Sequence, residues 1–266
     1  MDISKINSPW VLMEIEDVTY GISCDFVLSL TQVPKITPLP SQSPAARGII
    51  DFRTKSVQLY DSRLLLMGKS IAQEIKEFEE MLEQRFKDHI NWIETLETCI
   101  RDDEEFTLNT DPYKCAFGDW YYNSEHKSNN IMFLSAFSRI DEPHKEVHKL
   151  GVNALNFAKT GKKEEALNLV KSIKANELPH MKNLFNELKD AYKDGMKETV
   201  IVMGYGENLM AMAVDQIKAI EHLHDFDEQT IEESFENLEY LMGVAKRPNG
   251  EMVLLLHAEY IIDKYH

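Results

Sequence analysis

The order of apolar and polar residues changes twice along the chain and divides it into three parts. Residues 10–33 are dense in β-branched and aromatic residues, and residues 48–61 alternate apolar with polar positions, so both segments are predicted to be strands. The connection between them, "PKITPLPSQSPAARG", carries four prolines, which exclude a helix and a central strand there. The first part of the chain is therefore predicted to be β-structure.

The middle part has helical periodicity. Over residues 70–101 the positions of one face recur mostly every three or four residues, and glycine and proline are absent, which predicts one long helix. The positions of this face are Ile71, Ile75, Phe78, Leu82, His89, Trp92, Leu96 and Ile100. Three more helices are predicted around residues 124–139, over residues 141–161, and over residues 162–195 with a bend at Pro179. Four amphipathic helices with short connections favour an antiparallel bundle.

Residues 199–266 return to strand patterning. The sequence Pro248-Asn249-Gly250 between two apolar runs predicts a hairpin turn, and an acidic segment near 228–240 has helical tendency. Neither this part nor residues 1–68 alone is long enough for a sizeable core, and each would leave strand edges unpaired. We therefore predict an α+β fold in which these two parts form one β domain and residues 69–198, the antiparallel four-helix bundle, are inserted into it.

Composition and charge narrow the class of protein. The chain has 266 residues, of which 43% are apolar, and a formal net charge of −16. An acidic surface repels nucleic acid and anionic lipid, so neither is expected as a partner. No apolar run approaches the roughly 20 residues that span a bilayer, and the N-terminus has no signal-peptide core, which predicts no membrane insertion and a cytoplasmic location. The three cysteines, Cys24, Cys99 and Cys115, are too few for a disulfide framework.

Four side chains with metal-binding chemistry are predicted to lie inside the bundle. Cys115 belongs to "DPYKCAFGDWYYN", an aromatic-rich connection after the first helix, and His89 lies on the apolar face of that helix. His144 and His148 are four residues apart on the third helix, so their rings project from one face. Three imidazoles and one thiolate are a donor set for a closed tetrahedral zinc site, and they favour zinc over magnesium or calcium. The same spacing also fits hydrogen-bonded core histidines and a buried thiol, which are the commoner arrangement.

Catalysis is not predicted. Four protein ligands leave no open coordination position, and Lys145 stands where a zinc peptidase helix carries its glutamate. The sequence contains no phosphate-binding loop, nucleophile elbow or Ser-His-Asp order. A di-iron centre of the hemerythrin type is an alternative, but it requires bridging carboxylates at a spacing that is missing among Asp88, Asp141, Glu142 and Glu146.

The motifs of the helical part resemble the chemoreceptor zinc-binding (CZB) domain. "HINWIETL", "CAFGDWYYN" and "HKEVH" follow one another like the family's first-helix His and Trp, its C-x-F/L-G-x-W motif and its H-x-x-x-H pair. The resemblance covers about residues 70–197 and implies a four-helix bundle with the zinc ligands His89, Cys115, His144 and His148. Known members often pair as dimers. Their zinc-bound cysteine is implicated in sensing zinc or hypochlorous acid, which implies that Cys115 is redox-sensitive.

The two β parts resemble the CheW-like chemotaxis coupling proteins. "RGIIDFRTKSVQLYDSRLLL" is similar to their G-x-I-N-L-R-G-x-x-x-P-V-x-D-L-R segment, and "AMAVDQIKAI" and "YLMGVAKRPNGEMVLLLHAEYII" are similar to a later strand and to their ending. Residues 8–68 and 199–266 are covered, with departures at Thr54, Gln58 and His257. The resemblance implies two packed five-stranded β-barrels that bridge chemoreceptor tips to the histidine kinase. It aligns Arg53 with an arginine that the family uses towards receptors.

Together these patterns predict a cytosolic chemotaxis adaptor that is not an enzyme. Its expected partners are the chemoreceptor signalling domain, the chemotaxis histidine kinase and a second copy bound through the helical bundle. The inserted bundle is expected to bind Zn2+ and to sense zinc or oxidants through its site of one cysteine and three histidines. The alternative is a purely structural zinc ion in a constitutive scaffold or dimerisation protein. The sequence leaves open the physiological signal and whether it raises or lowers kinase activity.

Overall fold

The computed structural model describes residues 8–40, 43–123, 130–227 and 238–266. The chain divides into two compact units. The β unit combines the chain up to Ile71 with Met196–His266, and the helical unit is Ala72–Gly195.

Strands and helices alternate in blocks along the chain. The strands are β1 (Trp10–Ile15), β2 (Val18–Ser23), β3 (Val27–Gln32), β4 (Ala46–Phe52), β5 (Lys55–Asp61), β6 (Thr199–Tyr205), β7 (Asn208–Val214), β8 (Gln216–Glu221), β9 (His224–Asp227), β10 (Leu241–Lys246) and β11 (Met252–Leu256). The helices are α1 (Ser62–Leu66), α2 (Ile71–Asp102), α3 (Ala116–Asn123), α4 (Ile131–Ser138), α5 (Asp141–Lys159), α6 (Lys163–Ser172), α7 (Leu178–Gly195) and α8 (Ala258–Tyr265). None of the helices in the described residues is both long and apolar enough to cross a membrane.

Strands from both ends of the chain share the sheets of the β unit. One sheet has the order β8-β1-β2-β11-β10-β9 and the other has the order β3-β6-β7-β5-β4. Strand β2 pairs in parallel with β11, and β5 pairs in parallel with β7, so two central pairings join segments that lie far apart in sequence. Neither end of the chain can complete a sheet without the other, which explains why each alone looked too small.

The sheets differ in detail from the two five-stranded barrels expected from the resemblance. The first sheet has six strands, because β9 adds to β10 at its edge. Among the described strands, the two end strands of each sheet are not paired with one another, so both sheets are open. The helical tendency predicted near 228–240 lies outside the described residues up to position 237, and Leu238–Tyr240 form a 3-10 turn.

Strand β1 explains how the sheet packs. Its alternate residues Val11 and Met13 belong to the main core of the β unit, whereas Trp10 and Leu12 belong to a second cluster on the opposite face. A strand that is buried on both faces reads as a continuous apolar run, as "WVLM" does. The edge strand β8 instead alternates exposed with half-buried positions.

The helical unit has one continuous core formed by α2 to α7. The predicted second helix corresponds to α4, which begins after Asn130, whose side chain caps the backbone N–H groups of the first turn. The earlier part of that prediction, residues 124–129, lies outside the described residues. The segment after Cys115, expected to be a connection, folds as the short helix α3.

The predicted fourth helix is interrupted one turn before its proline. Residues Ile173–Glu177 form a π-helical turn between α6 and α7, in which the N–H of Leu178 donates to the carbonyl of Ile173. Pro179, the second residue of α7, has no N–H to donate to the preceding turn, so the regular α-helical ladder cannot continue through it. The irregularity therefore lies just before the position expected from Pro179.

Candidate metal centre

The structure brings together the four side chains that the sequence singled out. His89 comes from α2, Cys115 directly precedes α3, and His144 and His148 lie one turn apart on α5. One donor atom from each of the four lies within 4.8 Å of the others. The histidines are 3%, 0% and 1% exposed, and Cys115 is half-buried. Three separate segments of the helical unit thus converge on a single point.

The orientation of the His89 ring follows from its helix. Nδ1 lies 2.7 Å from the carbonyl oxygen of Arg85, one turn earlier on α2. A carbonyl oxygen only accepts, so Nδ1 carries the proton and Nε2 keeps its lone pair. That Nε2 lies 3.9 Å from Sγ of Cys115.

His148 is oriented in the same way, but by a loop. Its Nδ1 donates to the carbonyl of Thr110 at 3.2 Å, and its buried Nε2 has no hydrogen-bond partner in the described part of the chain. His144 has Nε2 only 3.2 Å from Sγ of Cys115, while its buried Nδ1 is likewise without a partner there. Each orphaned buried nitrogen costs about 1–3 kcal/mol unless something else satisfies it.

The sulfur of Cys115 is held at the start of α3. The backbone N–H of Gly118 donates to Sγ at 3.1 Å, and Sγ is 3.5 Å from the carbonyl oxygen of Pro112. A Cβ atom at Gly118 would lie 1.8 Å from that same oxygen. Only glycine allows α3 to approach the preceding loop this closely, which gives the glycine of the "CAFG" motif a steric reason.

Burial sets the protonation of the cluster. Desolvation lowers the pKa of His89, and it lowers the pKa of His144 to about 2 and of His148 to about 4, with the neighbouring histidines adding to the effect in the last two. The three imidazoles are therefore neutral near pH 7. Burial also raises the pKa of the Cys115 thiol, although the N–H groups of Gly118 and Phe117 act in the opposite direction. A cation bound at the sulfur would instead lower the pKa of the Cys115 thiol and favour the thiolate.

The donor set fits a zinc ion. Zinc bond lengths and a tetrahedral arrangement put sulfur and nitrogen ligands about 3.5 Å apart. The two measured Sγ to Nε2 distances, 3.2 Å to His144 and 3.9 Å to His89, lie on either side of that value. A metal ion would also occupy the lone pair of His148 Nε2, which otherwise lies buried without a partner in the described residues. The cluster contains no carboxylate in the described residues, and Asp141 instead accepts from Tyr122 and Lys145, so a carboxylate-bridged di-iron centre has no ligands here.

Aromatic rings enclose the cluster. Phe117 is 1% exposed and its ring centroid lies 4.8 Å from that of His144, and the Trp92 centroid lies 5.0 Å from that of His148. Sequence reasoning missed the carbonyl groups of Arg85 and Thr110 that orient two of the histidines. The His89 partner is the ordinary i−4 carbonyl of a helix, but no side-chain pattern signals the loop carbonyl of Thr110.

Other residues of interest lie outside the cluster. Arg53 is exposed in the turn between β4 and β5, with φ of 55° and its guanidinium over the Phe52 ring. Cys99 is buried on α2, where its thiol faces the carbonyl of Glu105 at 3.7 Å. Cys24 follows β2 and is partly buried. The role predicted for Arg53 towards receptors stays a prediction.

Two parts of this chain match the models of known protein families. Residues 89–155 match the family model of the chemoreceptor zinc-binding domain, and residues 178–266 match that of the CheW-like domain. The chain thus contains a CZB segment followed by a CheW-like segment, as the motifs predicted. The CheW-like match begins within α7, whereas the β unit resumes at Met196. Together the two matches support a chemotaxis signalling adaptor, and the CheW-like domain implies interaction with chemoreceptors and their kinase.

A comparison with solved structures finds the scaffolding protein TtCheW from Thermoanaerobacter tengcongensis. The two chains are 8% identical, with a TM-score of 0.42, and the match covers 96% of this chain and 88% of the other. A search of curated proteins found no match.

Proposed function

We propose that this protein is a cytoplasmic chemotaxis adaptor whose helical unit binds one zinc ion through His89, Cys115, His144 and His148. The observation that carries the proposal is the convergence of one thiol and three buried, neutral imidazoles, and the Nε2 of His148 has no partner in the described residues. We further propose that residues 69–198 are an inserted CZB-like bundle. The β unit, whose two parts flank them in sequence, would couple chemoreceptors to the histidine kinase, with Arg53 on the receptor-facing surface.

The sensing chemistry centres on Cys115. Zinc, when bound, would hold this side chain as a thiolate, the form that reacts with electrophilic oxidants. With hypochlorous acid, the sulfur donates an electron pair to chlorine, an S–Cl bond forms, and the O–Cl bond breaks to release hydroxide. Water then displaces chloride, loses a proton to the released hydroxide, and leaves a sulfenic acid on Cys115. We propose that a small oxidant reaches the sulfur, since Cys115 is only half-buried.

The change in partner binding would follow from the loss of one of the four zinc ligands. The sulfenic acid is a weaker ligand than the thiolate, so the segment before α3 would separate from the histidines of α2 and α5. Helix α2 begins ten residues after the end of β5, and β6 begins four residues after the end of α7. We propose that a shift among the helices changes the partner affinity of the β unit through these two connections.

A structural zinc ion is the second candidate. The near-complete burial of all three histidines favours it, because permanently bound zinc ions are closed off from solvent. In that case the helical unit would serve as a scaffold or as the interface of a homodimer.

Metal content and partner binding together test the proposal. Elemental analysis of the purified protein should give about one zinc per chain, and two irons without zinc would overturn the site. Binding to a chemotaxis kinase and to a receptor signalling domain should then be measured with zinc-loaded, chelated and hypochlorite-treated protein. Different affinities support sensing, equal affinities support a structural zinc ion, and no binding to either partner would remove the adaptor function.

Single-cysteine variants assign the response to one sulfur. Cys115→Ala should weaken zinc binding and abolish the hypochlorite response, because it removes the sulfur that lies beside the histidines. Cys24→Ala and Cys99→Ala are the matched controls and should retain both properties. An equal response in all three variants would exclude Cys115 as the sensor.

A further inference from the structure

The indole of Trp92 is tied to the loop that orients His148. Trp92 lies three residues after His89 on α2, and its Nε1–H donates to the carbonyl of Asn109 at 2.9 Å. The next carbonyl along the chain, that of Thr110, accepts from Nδ1 of His148 at 3.2 Å. One side-chain hydrogen bond therefore connects α2 to the carbonyl next to the one that fixes the His148 ring.

The stretch 109–113, which we call the strap, is ordered by its own side chains. The Asn109 side chain accepts from the N–H of Asp111, and the Asp111 side chain accepts from the N–H of Tyr113, each at 3.0 Å. The strap also contains Pro112, whose carbonyl lies beside the Cys115 sulfur. Because these two turns set the strap backbone, holding it at Asn109 also sets the direction of the Thr110 carbonyl.

Helix α5 is shaped to admit the indole. A Cβ atom at Gly151 would lie 2.3 Å from Cη2 of Trp92, so a glycine at this position lets the ring fit against α5. The ring also packs edge-on against Phe106, with centroids 5.3 Å apart. These contacts fix the plane of the indole and hence the direction of its N–H.

We propose that Trp92 is a positioning residue of the metal centre, which acts on His148 through the strap. Its N–H holds the strap in place, and the Thr110 carbonyl then keeps the proton on Nδ1 and leaves Nε2 free to bind a metal. Without that carbonyl the imidazole would populate both tautomers, and only one presents a lone pair to the cluster. The inference rests on the proposed zinc site and adds a residue that donates no ligand atom.

Two variants test the N–H itself. Trp92→Phe removes it with part of the ring, and benzothienylalanine incorporated at position 92 replaces it with sulfur while keeping the bicyclic shape. Both should weaken zinc binding by about 10-fold or more in competition with a chromophoric chelator, as the loss of a group that orients a ligand does. In the metal-free protein, the imidazole nitrogen shifts of His148 should change from one tautomer to a mixture of two.

Trp10→Phe is the matched control. Its side chain is equally large and buried, but its Nε1 has no hydrogen-bond partner in the described residues. Zinc affinity and the His148 tautomer should therefore be unchanged. Unchanged zinc affinity in both position-92 variants, or weakened affinity with the His148 tautomer preserved, would overturn the role of Trp92. Failure of the wild-type protein to bind zinc would instead overturn the metal site, while the tautomer measurement still decides whether Trp92 orients His148.

Discussion

Two buried polar clusters, one in each unit, differ in how their groups are satisfied. In the β unit, Arg63 is 5% exposed and its guanidinium makes two hydrogen bonds to the carboxylate of Asp215, at 2.8 and 2.7 Å. The same carboxylate accepts from the backbone N–H of Glu16 at 2.7 Å. Cation and anion are both supplied by the chain, so this cluster is complete as folded.

The cluster in the helical unit is of the opposite kind. Its four members supply lone pairs and a thiol, and the buried Nε2 of His148 has no partner in the described residues. The comparison teaches that buried polar groups can stabilise a fold directly or prepare it for a ligand. The stability that the first kind provides should change only on mutation, whereas the stability that the second kind provides should change with the supply of metal.

The largest effect is expected at the complete cluster. Arg63→Met leaves the Asp215 carboxylate without its buried cation and should lower the free energy of unfolding of the β unit by about 3–5 kcal/mol. Urea denaturation with and without a zinc chelator should show the same loss. Combining Arg63→Met with Asp215→Leu should recover part of it, because no unpaired charge remains. A double variant that is less stable than Arg63→Met alone would contradict this account.

Removal of zinc should have the next largest effect, and only on the helical unit. With free zinc at about 100 times its dissociation constant, binding stabilises the folded protein by about 2.7 kcal/mol, and chelation removes that amount. Calorimetry should show the corresponding decrease in the unfolding temperature of the helical unit. The double variant Cys115→Ala/His144→Ala should unfold identically with and without zinc. A chelator-induced shift that persists in this variant would place the bound metal elsewhere.

A smaller effect is expected from crowding the loop beside the sulfur. Gly118→Ala puts a methyl group against the Pro112 carbonyl and should cost about 1–3 kcal/mol, since a backbone atom cannot move aside freely. It should also weaken zinc binding, because the N–H that faces Cys115 is displaced. Denaturation of the metal-free protein separates these two effects. Zinc affinity equal to that of the wild type would show that the close approach matters only for folding.

The smallest effect is expected at a half-exposed charge network on the six-stranded sheet. Glu251 accepts from Lys218 at 2.7 Å and from Arg247 at 2.6 Å, and the Lys218 hydrogen bond is the largest cause that lowers its pKa to about 2. Glu251→Gln should cost about 0.5–1 kcal/mol at neutral pH. A lowered folded-state pKa stabilises the protein above the unfolded-state value, so the difference should disappear between about pH 5 and pH 2. A difference that is constant over this range would indicate that the charge of Glu251 is irrelevant.

The sequence predicted which residues form the candidate site better than it predicted the groups that orient them. The helical period puts His89 on a buried face, and the spacing of His144 and His148 puts both rings on one side of α5, so their meeting follows from local geometry. The Thr110 carbonyl was not predictable in this way, because the direction of a loop carbonyl depends on tertiary contacts such as the one made by Trp92.

The same distinction holds for the fold. Strand and helix periods predicted that the β parts flank a helical part, since periodicity is a local property of each segment. The sixth strand β9 and the open sheets depend on pairing between distant segments, which periodicity does not encode. The sequence did not predict helix α3, because its eight residues are rich in aromatics and because the helix begins beside the loop that Gly118 contacts.

The parallel pairing of β5 with β7 has a consequence for synthesis on the ribosome. Strand β5 ends at Asp61, but its partner begins at Asn208, and at about 5–20 residues per second the nascent strand waits roughly 7–30 s for it. All four metal-binding candidates emerge during that interval. The helical unit ends at Gly195, before β6 and β7 are synthesised, so it can fold and take up its ion while the edges of the first strands are still unpaired.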